Sequence, residues 1–177
     1  GTGAAAAAFR VREKNAILWE FGGSWDTVST VRVLAEGGAL KTLRQGRTPA
    51  KPYAWRHVQV SVRGDHFICR LDGQVIEDFT DATFERGRFG LACYHGWFEF
   101  KDVRVTDPAG RVLFESRFNA APGPPGPIDV GKGWQPVGFE GGPATAARVS
   151  GNPRNSRYSL RIGLPEHTGP VGIRQAN

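Results

Sequence analysis

The sequence predicts an all-β protein folded as an antiparallel sandwich or barrel. Three observations carry that expectation. Val58, Val60 and Val62 alternate with His57, Gln59, Ser61 and Arg63, the period of two of a half-buried strand. Asp72-Gly73 joins two such alternating runs, and an Asp-Gly loop suits a type I′ hairpin, which needs positive φ at both central positions. No stretch supports a long amphipathic helix, whereas many short runs are punctuated by turn residues.

Taken in order, residues 4–118 read as strands separated by turns. Phe9 to Arg12, Ile17 to Phe21, Val28 to Leu34 and Leu40 to Arg44 are strand candidates, with Gly22-Gly23 and Gly37-Gly38 between them. Residues 55–80 form three consecutive antiparallel strands, turning at Arg63 to His66 and at Asp72-Gly73. Asp81 to Glu85 suits one helical turn with Asp81 as its N-cap. In the next strand Phe89, Leu91 and Cys93 point one way, and Gly90, Ala92 and Tyr94 the other. His95-Gly96 turns the chain. Phe98 and Phe100 then face inward, with Trp97, Glu99 and Lys101 facing away. Val103 and Val105 break that parity, which implies a bulge near Lys101-Asp102. Asp107 to Gly110 turns the chain again before Val112 and Phe114.

The composition shifts at residue 119. Residues 119–127 are a Pro/Gly linker, and the tail 128–177 offers strands around Trp134 to Phe139, Tyr158 to Ile162 and Val171 to Ile173. A tail so poor in large apolar groups does not fold alone; it reads as a partial β module or as an annex to the sandwich at 1–118.

Composition narrows the functional classes. The chain has 177 residues with 40% hydrophobic and 23% charged, so it has material for a core and is not a disordered chain. No apolar run reaches the length of about 18 residues that a spanning helix needs, so no membrane partner is expected. Net charge is +6, but the charges are scattered and no nucleic-acid motif is present, so no nucleic-acid partner is expected. Ala4 to Ala8 lacks a cleavage pattern, so any signal peptide lies upstream of Gly1.

Few residues announce chemistry. Cys69 and Cys93 share the inward parity and fit three readings: buried hydrophobes, a cross-strand disulfide, or a reactive thiol. His57, His66, His95 and His167 match no metal spacing, and the acidic residues fall mostly in turns. Trp25, Tyr94 and Trp97 are the strongest binding candidates, because each is placed at a turn or on an outward face. Flat aromatic faces stack on the C–H faces of sugar rings, and neighbouring polar groups bond the hydroxyls. His95 sits between Tyr94 and Trp97. Asp26, beside Trp25, suits a sugar hydroxyl, a calcium ion or an ordinary turn. Trp19 and Trp55 head strands and are assigned to the core.

The run Ile17-Leu-Trp-Glu-Phe-Gly-Gly-Ser-Trp-Asp-Thr-Val-Ser29 resembles the concanavalin/laminin-G-like sandwich attached to family fifty-one α-L-arabinofuranosidases. Residues 53–73, Gly87 to Cys93 and Phe98 to Val105 look like its second half, and are equally similar to the 3-keto-disaccharide hydrolase domain. Gly133 to Gly138, Asn152 to Ile162 and Gly169 to Asn177 resemble the N-terminal β module of the arabinofuranosidases. The resemblance implies a jelly-roll sandwich that serves as an accessory carbohydrate-binding part of a secreted or periplasmic glycoside hydrolase. It implies an arabinose-containing ligand and no catalytic residue in this chain, since neither barrel glutamate has a counterpart. The site expected is Trp25, Asp26, Tyr94, His95 and Trp97, with no cofactor apart from a structural calcium. Two alternatives stand beside it. A hydrolase of the 3-keto-disaccharide type requires Asp72, Glu99 and Asp102 to converge beside Tyr94 or Trp97. A structural or protein-binding spacer requires Trp25 and Trp97 to pack inward.

Overall fold

A computed structural model describes residues 3–13, 15–35, 40–49, 51, 53–117, 134–138, 145–150, 158–164 and 171–175. The elements run β1 (Ala4–Arg12), β2 (Asn15–Gly22), α1 (Gly23–Asp26), β3 (Val28–Leu34), β4 (Lys41–Arg47), β5 (Val58–Arg63), β6 (His66–Leu71) and β7 (Gln74–Thr80). They continue β8 (Arg88–Tyr94), β9 (Gly96–Phe100), β10 (Val103–Thr106), β11 (Val112–Ser116), β12 (Trp134–Gly138), β13 (Thr145–Ser150), β14 (Tyr158–Leu164) and β15 (Val171–Gln175). The fold is thus all-β and antiparallel, with α1 a single helical turn.

One sheet has seven strands in the order β12-β15-β8-β1-β2-β3-β4. The meander β5-β6-β7 packs on it as a second layer, and β13-β14-β9 and the hairpin β10-β11 are separate sheets. Strands from the tail therefore pair with strands of the 1–118 region: β15 with β8 and β14 with β9. The linker expected at 119–127 lies outside the described residues.

The core lies between the meander and one face of the large sheet. Phe67, Cys69, Leu71 and Phe79 pack on Phe9, Ile17, Trp19 and Val31. Phe67 is sandwiched between the rings of Phe9 and Phe79, at 5.2 and 5.1 Å. Phe98 and Phe100 add the inward set of β9. The interior also holds a polar chain. Trp19 Nε1 donates to Ser29 Oγ at 3.0 Å, and Ser29 donates to Glu77 Oε1 at 2.6 Å. Arg44 Nε lies 3.4 Å from Glu77 Oε2. These bonds tie β3 of one layer to β7 of the other and satisfy a carboxylate that burial would otherwise penalise.

Local chemistry explains the turns. Asp72 and Gly73 have φ of 51° and 84° and close Leu71 onto Gln74, the two-residue loop expected. Elsewhere the sequence reading needs correction. Asp81 to Glu85 is not helical: the Asp81 carboxylate instead accepts from Thr83 N–H at 2.9 Å, and the Glu85 carbonyl accepts from Arg10. The expected bulge at Lys101-Asp102 is a break between β9 and β10, with Asp102 at φ 51°. β1 starts at Ala4, so the alanine run is strand, and β13 was not expected at all. Cys69 and Cys93 are buried and form no disulfide with each other. Burial pushes both thiols up to about 12, with the Glu77 charge adding to the effect at Cys69. Neither the disulfide nor the reactive-thiol reading holds.

Candidate functional site

The face of the large sheet turned away from the meander carries Ala4, Ala6 and Ala8 of β1, Leu18 and Glu20 of β2, Arg32 of β3, and Ala92 and Tyr94 of β8. Its register fixes an unusual arrangement. Arg32 pairs with Leu18, which pairs with Ala8, whereas Tyr94 pairs with Ala4. The two residues are thus three strands and four residues apart, or about 20 Å between their Cα atoms at ordinary strand spacings. Yet the Arg32 guanidinium carbon sits 5.7 Å from the centre of the Tyr94 ring. Both side chains must therefore lie along the sheet and lean toward each other. The midpoint of that line falls on Glu20 and Ala6. Arg32 Nε is indeed 3.4 Å from Glu20 Oε2.

This explains a run of alanines in a central strand, where alanine has poor intrinsic preference. Alanine at 4, 6 and 92 makes a low floor on which long side chains can lie; Ala4, Ala6 and Ala92 are all buried. A leucine at position 6 would occupy the space over which Arg32 and Tyr94 meet.

The electrostatics are those of an unfinished polar site. The Glu20 side chain is 6% exposed and that of Arg32 26%. Glu20 Oε1 and Arg32 Nε have no hydrogen-bond partner among the described residues. Burial pushes the Glu20 carboxyl above its ordinary value, and the Arg32 charge pulls only partly against this. A buried carboxylate with an unbonded oxygen costs about 1–3 kcal/mol or more. The arrangement offers one acceptor, one donor and an aromatic ring to a small polar molecule.

The sequence-expected residues are distributed around this face. Tyr94 belongs to it, with its ring edge-on to His95 at 4.3 Å. His95 makes the β8–β9 corner at φ 45°, and Gly3 packs there so closely that a Cβ would fall 1.8 Å from the His95 carbonyl oxygen. Trp25 and Asp26 lie in α1, which follows Gly22 at the same end of β1: a Cβ on Gly23 would sit 4.0 Å from that of Ala4. Asp26 is engaged by the chain itself. Its Oδ2 accepts from Lys51 N–H and lies 3.2 Å from Arg56 Nη1. Trp97 occupies β9 opposite Gly163. The side chains of Trp25 and Trp97 lie outside the described residues.

Two pairs escaped the sequence reading. Glu20 and Arg32 carried a signal: each is a charge inside an apolar strand, in Trp-Glu-Phe and Val-Arg-Val. Trp55 and Lys101 are the second pair. Trp55 is not core; it is 37% exposed in the loop before β5. The adjacent Arg56 takes the interior place, its side chain only 8% exposed, because it bridges Asp26 and Asp72. Lys101 Nζ lies 5.1 Å from the centre of the Trp55 ring.

Two of the three carboxylates required by the hydrolase alternative, Asp72 and Asp102, face basic side chains. Asp72 accepts from His57 N–H at 2.8 Å and from Arg56 at 2.6 Å. Burial alone would raise its carboxyl, but hydrogen bonds from His57, Arg56 and Lys51 hold it below the ordinary value. Asp102 lies 3.8 Å from Lys101 Nζ. Among the described residues no group of three or more His, Cys, Asp or Glu is arranged to hold a metal ion.

No family model matches the chain, and no curated protein matches it. Among solved structures, a carbohydrate-binding module CBM66 from Bacillus subtilis is similar at 29% identity with a TM-score of 0.46. The match covers 51% of this chain and 56% of that one, so it spans about half of each.

Proposed function

We propose that this chain is a carbohydrate-binding β-sandwich whose ligand sits over the alanine floor between Glu20, Arg32 and Tyr94. The observation that carries the reading is the buried Glu20–Arg32 pair with an unused acceptor and an unused donor beside an aromatic ring. A sugar supplies what the pair lacks: a hydroxyl to donate to Glu20 Oε1, a ring or hydroxyl oxygen to accept from Arg32, and a C–H face for Tyr94. His95 closes the edge, and Trp25, Asp26 and Trp97 are proposed as flanking contacts. One platform and two hydrogen bonds give modest affinity, with Kd of about 10⁻³ to 10⁻⁵ M. The sugar first tested is arabinose in arabinan or arabinoxylan, as expected of an accessory module of a secreted plant-polysaccharide hydrolase. Calcium, if bound, serves structure.

The test is calorimetric titration with arabinan, arabinoxylan and a β-glucan. Saturable binding to an arabinose-bearing polymer is expected, weakened at least tenfold by Tyr94→Ala and abolished by Ala6→Leu. Absence of binding to every polymer by a folded chain would favour the spacer reading. Binding that survives both substitutions would move the site elsewhere.

A further inference from the structure

We infer that Trp55 and Lys101 form a second glycan subsite, and that it takes a sugar carrying a carboxylate, a hexuronate. Three observations place it. Trp55 is 37% exposed on a loop where a buried arginine, not the ring, fills the interior. The Lys101 ammonium stands over that ring at 5.1 Å, on a side chain only 13% exposed. Lys101 Nζ is buried and has no hydrogen-bond partner among the described residues. An ammonium has three donors, and the cation–π contact replaces only part of the hydration that burial removes. The nearest anion, Asp102, is 3.8 Å away, beyond hydrogen-bond length.

The ligand class follows from this inventory. The unused group beside the ring, the Lys101 ammonium, is a cationic donor, so the missing partner is an acceptor, best an anionic one. The ring beside it calls for a flat C–H face. A pyranose bearing a carboxylate supplies both in one molecule, and the net charge of +6 favours its approach. The contrast with the Glu20 face is chemical: there the buried unsatisfied acceptor is itself an anion and disfavours a carboxylate. The two subsites thus select different sugars. This inference stands on other residues than the proposed function and survives its failure.

The experiment is calorimetric titration of the whole chain with trigalacturonate, its methyl ester, and acetate, at low and at moderate salt. Saturable trigalacturonate binding is expected, weakened at least tenfold in the ester and in Lys101→Gln, and falling with salt. Trp55→Ala should lose it as well, while Glu20→Gln and Ala6→Leu leave it unchanged. Equal binding of ester and acid, binding as strong with acetate, or no loss in Lys101→Gln would overturn the inference. So would an absence of binding by the folded chain. Lys101→Gln keeps the test decisive should Trp55→Ala fail to fold.

Discussion

Two buried glutamates lie on opposite faces of one sheet's neighbourhood, and they are treated differently. Glu77 stands between the layers, where Ser29 donates to one oxygen and Arg44 lies beside the other. Glu20 stands on the outer face, where Arg32 lies beside one oxygen and the other has no hydrogen-bond partner among the described residues. A carboxylate that is fully partnered holds a fold together. One that is half partnered costs stability and is available to a ligand. The same side chain type is thus a structural bolt on one face and the proposed ligand contact on the other.

Substitutions should separate the two. The largest effect expected is at the bolt: Glu77→Ala leaves Ser29 and Arg44 without their acceptor and opens a void, costing about 2–4 kcal/mol in urea denaturation. Gly46→Ala should cost less, about 1–2 kcal/mol, because its Cβ would press on Glu77 Oε1 at 3.0 Å and disturb the same bond. Acidification sharpens the contrast further. The folded-state pKa of Glu20 is raised, so its ionisation penalises the fold above that pKa, and the penalty fades as pH falls toward the ordinary 4.5. Sugar binding, which needs the ionised acceptor, should fade over the same window. Asp72 works in reverse. Its folded pKa is depressed, so its stabilisation is present above 3.8 and is lost as pH falls through the lower folded value. Stability should therefore hold or rise slightly on acidification to about pH 4.5, then fall, while affinity declines throughout. A pH series of urea melts beside a pH series of titrations checks this. A stability curve that falls in step with affinity from neutral pH would remove the distinction.

What the sequence revealed follows the range of the interactions involved. The Asp72-Gly73 hairpin was legible because its φ angles are decided by the two residues themselves. The alternation of β6 was legible because burial of Phe67, Cys69 and Leu71 on one face repeats every second residue. The strand at Ala4 to Ala8 was hidden, since alanine prefers no strand; its meaning depends on Arg32 and Tyr94 arriving from β3 and β8. The swap of Trp55 and Arg56 was hidden for the same reason. Arg56 goes inside only because α1 and the β6–β7 hairpin deliver Asp26 and Asp72 to it. Tyr94 was found as a candidate from its outward parity alone, but Glu20 required the register that sets it between Arg32 and Ala6.

The measurement that tests the central claim most directly is Glu20→Gln, examined for stability and for arabinose-polymer binding in the same preparation. The account predicts a urea midpoint equal to or above that of the unaltered chain, with sugar affinity reduced at least tenfold. A lowered midpoint with affinity intact would show that Glu20 is a second bolt, and that the outer face is not the binding site.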